Sequence, residues 1–408
     1  MGDGWAYRYD HNWVRGFKQT HQPSPWINDY GQFVIMPVSD ATYVDENSRA
    51  SYYSHKSETA RPYYYQVYLA DHDINVELTP SERAAAFRFT YPESSNSGIV
   101  YGTEHVHPEV SSTGRLGHEY YNTIGYIPYD AGIHESVART LEYAYNDWCI
   151  LQLAKKLDRP QEELDKWEER SNNWKNVFDP THNLMRGRNL DGSFQKPFSP
   201  YKWGGAFTEG NAWHYTWSVF HDVDGLAEAM GGKEVFAQML DSVFVVPPIY
   251  DDSYYGYRIH EITEMQVANM GNYAHGNQPA QHMIYLYNWA GYPEKTQKWV
   301  REVMNRLYSS APDGYCGDED NGQTSAWYVF SALGFYPVCP ASDQYAVGSP
   351  LFKKAIVHLE NGNTIEINTD GSGPYIKSIN FNGEEHETFF FSYDKLAKGA
   401  IIDFKTSE

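Results

Sequence analysis

The chain has 408 residues, more than one hydrophobic core normally organises, so we expect at least two domains. Its formal net charge of -21 at pH 7 argues against nucleic acid and anionic membrane surfaces as partners, because both carry the same sign of charge. The sequence contains no apolar run of about 18 residues, which argues against membrane insertion, and its first residues lack the pattern of a signal peptide.

Aromatic residues make up 16% of the chain, with 12 Trp and 35 Tyr. Flat rings with polar edges are suited to stacking against sugar rings, but they also serve at the boundary of a large helical core. Composition alone leaves both interpretations open.

The N-terminal part shows the alternation of β-strands. Apolar residues recur at every second position between residues 63 and 90, at Tyr65, Val67 and Leu69, then Ile74, Val76 and Leu78, then Phe87 and Phe89. This pattern predicts an antiparallel sheet that forms part of a β-sandwich over residues 1–95. The turn-rich residues 96–118 fit neither neighbouring pattern and are predicted to be a linker or a splice junction.

From about residue 134 the period changes to that of α-helices. Further helices are predicted to begin near Glu209, Lys233, His260, Gln278, Gln297 and Gly322. About eight helices with short connections predict stacked hairpins that close towards an α/α toroid over residues 119–340. Strand patterns return after Pro340 and predict a small β appendage over residues 341–408.

An acidic cluster at residues 317–323 precedes an apolar helix and contains Asp318, Glu319 and Asp320. Carboxylates are favoured at a helix N-terminus, so capping is one explanation. An EF-hand calcium loop is excluded, because Gly322 falls at its fifth position and Val329 at its twelfth.

A single carboxylate, Glu209, lies among Phe207, Trp213 and other aromatic residues. Such surroundings desolvate the acid and raise its pKa, as a proton donor near neutral pH requires. The alternative is an exposed glutamate in the first turn of a helix.

Two further polar segments stand at predicted helix starts. His260 and Glu261 begin a sequence like that of a zinc protease, but Glu264 replaces the second histidine, so zinc is disfavoured. Residues 274–282 supply the oxygen donors Asn277 and Gln278, or form a hydrogen-bonded turn. Alternate helix ends of a toroid meet at one mouth, and carboxylates, amides and Trp side chains in one cleft are typical of glycoside hydrolysis.

These segments resemble glycoside hydrolase family 92, the calcium-dependent, inverting exo-α-mannosidases. The similar stretches are residues 209–213, 275–280, 317–323, 325–330 and 333–337. The resemblance implies a multidomain α and β fold: an N-terminal β-sandwich, here incomplete, and an (α/α)6-type toroid with a small C-terminal β appendage. The family carries several hundred further residues between the parts similar to residues 1–95 and to residue 113 onward, so the toroid is also expected to be shortened.

The resemblance assigns the general acid to Glu209 and the base to Asp318 and Asp320. Inversion requires these carboxyl groups to stand about 6.5–9.5 Å apart, with a water between them. It also implies a Ca²⁺ cofactor held by Asn277, Gln278 and Asp320, although the family usually has Glu at the position of Gln278.

Substrate contacts follow from the same resemblance. His260 and Glu261 are similar to a pair that holds the leaving mannose in α-1,2-selective members. Trp26 and Asp29, in a loop of the sandwich, and Trp213 are the other substrate contacts implied.

The implied function is removal of terminal α-1,2-linked mannose from a mannan or glycoprotein N-glycan by a secreted, periplasmic or cell-surface bacterial enzyme. The alternative is a catalytically impaired, calcium-dependent mannose-binding protein left by the internal deletion. Another α/α-toroid enzyme, such as a trehalase or polysaccharide lyase, is disfavoured because those families lack this set of motifs.

Overall fold

The computed structural model describes residues 9–18, 33–43, 45–61, 63–80, 85–93, 96–103, 116–320 and 322–408. The chain forms two compact units, Met1–Leu116 and Gly117–Glu408. None of the helices in these described ranges has the length and apolar character needed to cross a membrane.

The first unit is built from short antiparallel strands. Its elements are β1 (Trp13–Val14), β2 (Phe17–Lys18), β3 (Phe33–Val38), α1 (Glu46–Arg49), β4 (Ser51–Tyr52), β5 (Glu58–Arg61), β6 (Tyr64–Leu69), β7 (Ile74–Pro80), β8 (Ala85–Thr90) and β9 (Gly98–Thr103). The strands form a four-stranded sheet β5-β6-β7-β8, a three-stranded sheet β2-β3-β9 and a pair β1-β4. The antiparallel sheet predicted between residues 63 and 90 is confirmed.

One hydrophobic core joins the two larger sheets of this unit. Phe17, Met36 and Val38 from one sheet pack in the same cluster as Val67 and Val76 from the other, as in a β-sandwich. The linker prediction is wrong at residues 98–103, because β9 pairs there with β3 along its whole length. The turn residues before Gly98 indicated a linker, and the short strand that follows was not predicted because its partner lies about 60 residues earlier in the sequence.

The second unit begins with helices. They are α2 (His118–Ile124), α3 (Ser136–Lys156), α4 (Gln161–Ser171), α5 (Ala212–Tyr215), α6 (Val223–Ala229), α7 (Lys233–Val245), α8 (His260–Ala268), α9 (Gln278–Gln281), α10 (Tyr287–Ala290), α11 (Pro293–Arg306) and α12 (Gln323–Leu333), with a hairpin of β10 (Phe178–Asp179) and β11 (Leu184–Met185) after α4. The helix starts predicted at Lys233 and His260 are confirmed. The start predicted near Gln297 is wrong, because Pro293 occupies the first turn of α11, where its missing N–H costs nothing.

Strands return after α12, as predicted. They are β12 (Phe335–Tyr336), β13 (Gln344–Val347), β14 (Lys354–His358), β15 (Thr364–Asp370), β16 (Tyr375–Phe381), β17 (Glu384–Glu385) and β18 (Phe390–Ser392), followed by α13 (Tyr393–Leu396) and β19 (Ala400–Ser407). They form the sheets β12-β13-β18 and β14-β15-β19-β16-β17, which share a core of their own around Val347, Ile367 and Phe404. The closed toroid remains a prediction.

Candidate active site

The loop that carries Glu209 is held in an unusual backbone conformation. Glu209 has a φ of 44°, in the left-handed region that costs a residue with a side chain about 1–2 kcal/mol. Immediately afterwards Asn211 caps α5 in a reciprocal arrangement with His214, whose Nε2 donates to the carbonyl of Asn272. The buried cap fixes the loop, so the strain at Glu209 is maintained by the surrounding structure.

The surroundings of Glu209 favour its protonated form. Burial, together with the charge of Glu261, raises the pKa of Glu209 to about 7. The backbone N–H of Glu209 donates to the hydroxyl oxygen of Tyr255 at 3.1 Å, which places that aromatic residue against the loop. A carboxyl group with this pKa can donate a proton near neutral pH.

The amide turn before α9 connects Glu209 to the acidic cluster. The side-chain nitrogen of Asn277 donates to the carbonyl oxygen of Glu209 at 2.5 Å. The side-chain nitrogen of the next residue, Gln278, donates to Oδ2 of Asp320. The two amides therefore join the proposed acid and the proposed base through consecutive residues of one turn.

The acidic cluster before α12 is a tightly bonded turn. Asp320 has a φ of 53°, so both Glu209 and Asp320 adopt the left-handed conformation. Thr324 Oγ1 donates to the carbonyl of Asp318 at 2.8 Å, and Ser325 Oγ donates to Glu319 Oε1 at 2.5 Å. The backbone N–H of Ser325 also donates to Glu319 Oε1 at 3.2 Å, so Glu319 caps the first turn of α12, as the alternative interpretation of the cluster held. Asp318 and Asp320 are left at the surface.

The two aspartates differ in surroundings. The side chain of Asp318 is 73% exposed. Partial burial of the Asp320 carboxyl group, with the charge of Asp318, raises the pKa of Asp320 above its ordinary value, although the residue as a whole is exposed.

His260 lies among carboxylates at the start of α8. Its Nδ1 donates to Glu264 Oε1 at 2.8 Å, and its Nε2 lies 3.2 Å from Glu261 Oε1 and 4.0 Å from Asp318 Oδ2. Burial lowers the pKa of His260, but the hydrogen bond to Glu264 and the nearby negative charges outweigh it, so the net pKa is raised. His260 is therefore a bridge between α8 and the acidic cluster.

Glu261 is 8% exposed, and its Oε2 is buried without a hydrogen-bond partner among the described residues. A buried carboxylate oxygen that lacks a donor is costly, so a ligand hydroxyl at this position would satisfy it.

Two glycines allow the amide turn and the acidic cluster to approach each other. The backbones of Gly276 and Gly317 lie so close that a Cβ on Gly317 would stand 2.6 Å from the Gly276 carbonyl oxygen and 2.8 Å from Glu264 Oε2. The nearest atoms are backbone atoms, which cannot turn aside as a flexible side chain can. The close approach explains why glycine occupies both positions.

We expect Gly317→Ala to lower the free energy of unfolding by about 1–3 kcal/mol, the cost of forcing an extra methyl group into a packed site. Urea unfolding followed by circular dichroism measures the change. Gly98→Ala is the matched control, because its added Cβ would make an ordinary contact of 3.4 Å. Equal stability of the Gly317→Ala and wild-type proteins would contradict the close approach.

The structure brings together most of the predicted site residues. Glu209, His260, Glu261, Asn277, Gln278, Asp318 and Asp320 lie in one connected group. Trp213 is only 9% exposed and packs in the main helical core, so its substrate contact remains a prediction. Trp26 and Asp29 lie outside the described residues. Tyr255 was not predicted to lie at the site, and Glu264 entered the prediction only as evidence against zinc.

The donor atoms of the predicted metal site are mostly uncharged. Among the described residues, no group of three or more His, Cys, Asp or Glu side chains is placed to hold a metal ion. The predicted ligands Asn277, Gln278 and Asp320 instead supply two amide oxygens and one carboxylate. Oxygen donors of this kind suit a hard cation such as Ca²⁺, but only one of the three is charged.

Comparisons with known proteins agree on one family. Residues 79–408 match the glycosyl hydrolase family 92 catalytic domain, and residues 1–132 match its N-terminal domain. A curated relative, an uncharacterized secreted glycosidase of Arthroderma benhamiae, is 26% identical over 75% of this chain, and the chain spans 41% of that relative's length.

Two solved structures from Bacteroides thetaiotaomicron are similar. A family GH92 inverting mannosidase has a TM-score of 0.66 and 28% identity, with 100% of this chain and 91% of that chain covered. A family GH92 α-mannosidase bound to mannoimidazole has a TM-score of 0.65, 22% identity and coverage of 99% and 90%, and at that identity supports the fold alone. Because the catalytic-domain match covers well over half of the sequence, the chain belongs to glycosyl hydrolase family 92.

Proposed function

We propose that this protein is an exo-acting α-mannosidase that removes terminal α-1,2-linked mannose from mannans or glycoprotein N-glycans with inversion. The observation that carries the proposal is Glu209, a half-buried carboxyl group with a pKa of about 7 that the Asn277–Gln278 turn connects to Asp320. The inverting mannosidase among the similar structures and the glycosidase among the relatives support it.

Glu209 acts as the general acid in this proposal. Its pKa of about 7 leaves a large fraction of it protonated at neutral pH, so it can donate a proton to the oxygen of the leaving sugar as the glycosidic bond breaks. Asp320, with Asp318 beside it, accepts a proton from a water that attacks the opposite face of the sugar. The carboxyl separation of about 6.5–9.5 Å that this reaction needs remains a prediction.

The leaving mannose is proposed to lie against His260 and Glu261. Glu261 Oε2 is buried without a partner among the described residues and accepts a hydrogen bond from a sugar hydroxyl. His260 Nε2, 3.2 Å from Glu261 Oε1, carries a proton in the imidazolium form, which the raised pKa of His260 favours, and in that form it can donate to a neighbouring hydroxyl. A donor and an acceptor side by side favour one arrangement of hydroxyls, and therefore one linkage.

Asn277, Gln278 and Asp320 are the residues proposed to hold Ca²⁺. Bound there, the ion supplies coordination of adjacent sugar hydroxyls, which helps to flatten the sugar ring. The side-chain nitrogen of Asn277 donates to the Glu209 carbonyl. The side-chain oxygen, on the other side of the same amide group, therefore points away from that loop.

The experiment is release of free mannose from α-1,2-mannobiose by the purified protein, with added calcium and with EGTA. We expect release that calcium supports and the chelator abolishes, because the sugar then loses its oriented hydroxyls. Release of mannose at the same rate in EGTA would reject the calcium site, although the protein would still be a hydrolase. A folded protein that releases no mannose would reject the enzyme.

A mannose-binding protein without turnover is the second candidate. Gln278 favours it, because only one of the three proposed calcium ligands is then charged. Calorimetric mannose binding in calcium, without product formation, would support this candidate.

Secretion of the protein is also proposed, since the curated relative from Arthroderma benhamiae is described as secreted.

A further inference from the structure

A cleft with a volume of about 830 Å³ extends from the candidate site along α8. One wall is α8, and the other is the chain from Leu307 to Asp318. His260 and Asp318, which belong to the candidate site, line the cleft, as does Val267 farther along α8, and Tyr315 lines it from the opposite wall segment 307–318. Ligand pockets in proteins span about 300–1,000 Å³, so this cleft exceeds what a single sugar ring requires.

The cleft follows one face of a helix. His260, Thr263, Glu264 and Val267 line it, with the spacing i, i+3, i+4, i+7 that places side chains on a single helical face. This face is polar at its N-terminal end and apolar at its C-terminal end, where Val267 is 80% exposed. From His260 to Val267 the helix rises by about 10 Å, more than one pyranose ring spans.

The cleft contains surfaces suited to a sugar ring. Tyr315 is 44% exposed, and its ring is held edge-on against Tyr308 with ring centres 5.9 Å apart. Tyr315 is further fixed by backbone pairing with Tyr308. A fixed aromatic ring in the same cleft as an exposed aliphatic side chain can contact the apolar face of a pyranose.

The charges in the cleft argue for a neutral ligand. Arg258 lies over the ring of Tyr250 and donates to its hydroxyl, and Arg306 pairs with Glu302 and donates to the Ala268 carbonyl. Both guanidinium groups therefore have partners in the protein. The three carboxylates of Glu264, Asp313 and Asp318 outnumber them, which disfavours a phosphorylated or acidic saccharide.

We propose that this cleft binds the second leaving-side sugar of a mannooligosaccharide, so that the preferred substrate is a linear chain of at least three residues. The proposal rests on the proposed hydrolysis at Glu209. An exo-acting enzyme removes a terminal sugar, so every further sugar of the substrate lies on the leaving side. His260 lines the cleft, and its Nε2 lies 3.2 Å from Glu261 and 4.0 Å from Asp318, so the cleft starts at the candidate site.

The test compares initial-rate kcat/KM values for α-1,2-mannobiose and α-1,2-mannotriose in the presence of calcium. The wild-type protein is expected to prefer the trisaccharide by about tenfold, because an extra occupied contact lowers the transition-state free energy. Val267→Trp, which fills the cleft, should reduce this ratio to about one. Val245→Trp is the matched control, because Val245 is 78% exposed and lies at the end of α7, outside the cleft.

The outcomes separate the two proposals. Equal kcat/KM values for both saccharides in the wild-type protein, or an unchanged ratio in a folded Val267→Trp variant, overturn the cleft but keep the enzyme. If neither saccharide is hydrolysed, the enzyme fails, and calorimetry with the same two saccharides decides about the cleft. About tenfold tighter binding of the trisaccharide would then support it, and equal or undetectable binding would reject it.

Discussion

Replacing Glu209 by Gln is expected to lower kcat/KM for α-1,2-mannobiose by about 10²–10⁴-fold, the usual contribution of a positioned general acid. Glutamine has nearly the same shape but cannot donate a proton to the leaving sugar. A 2,4-dinitrophenyl α-mannoside has a leaving group that departs without protonation, so its hydrolysis should fall far less. The difference between the two substrates identifies an acid rather than a general loss of structure.

The pH profile gives a second readout of the same variant. The acid must be protonated to act, and the pKa of Glu209 is about 7, so wild-type kcat/KM should decline as the pH rises through about 7. Glu209→Gln should lack this alkaline decline in its residual hydrolysis of α-1,2-mannobiose. A profile with the same decline in the variant would assign it to another group.

Glu228→Gln is the control for this experiment. Glu228 is exposed on α6, and the same chemical change there should leave both substrates and the pH profile unaffected. Equal activity of Glu209→Gln and wild type on α-1,2-mannobiose would remove Glu209 from the mechanism.

The sequence predicts those features of the site that are caused by residues close together in the chain. Phe207 and Trp213 stand within a few residues of Glu209, so the desolvation of Glu209 can be predicted from its neighbours in the sequence. The apolar alternation between residues 63 and 90 likewise determines the strands β6, β7 and β8, because each strand shows its own period.

The features that the sequence does not predict depend on distant residues. Tyr255 lies 46 positions from Glu209, and β9 pairs with a strand about 60 positions earlier. Glu264 packs against Gly276 and Gly317, which are 41 positions apart in the sequence and approach each other in the fold. The left-handed backbone at Glu209 and Asp320 also has no local signal, since neither Glu nor Asp requires it.

Gln278→Glu is expected to tighten calcium binding by about tenfold to a hundredfold, because calcium affinity rises with the number of charged oxygen ligands. Gln278 donates its amide hydrogen to Asp320 Oδ2, so the wild-type turn is stabilised without an ion. A glutamate at this position would place two carboxylates against each other. Their repulsion should lower the thermal stability of the variant in EGTA, and a bound cation should restore it.

Calorimetry with calcium alone, and melting temperatures in calcium and in EGTA, measure both effects without any substrate. A tenfold tighter site adds about 1.4 kcal/mol of stabilisation at saturating calcium, so the shift between the two conditions should be larger in the variant. Gln238→Glu, on the exposed side of α7, adds the same charge away from the site and controls for net charge. If Gln278→Glu binds calcium no more tightly than the wild type and melts at the same temperature in EGTA, Gln278 neither faces Asp320 in solution nor contacts the ion. Loss of the amide contact lowers the stability of the variant, and gain of a charged ligand raises it when calcium is bound. Both effects occur in one variant only if residue 278 contacts both Asp320 and the ion. A variant that is less stable than the wild type without calcium and more stable with it would therefore support Gln278 and Asp320 as shared ligands.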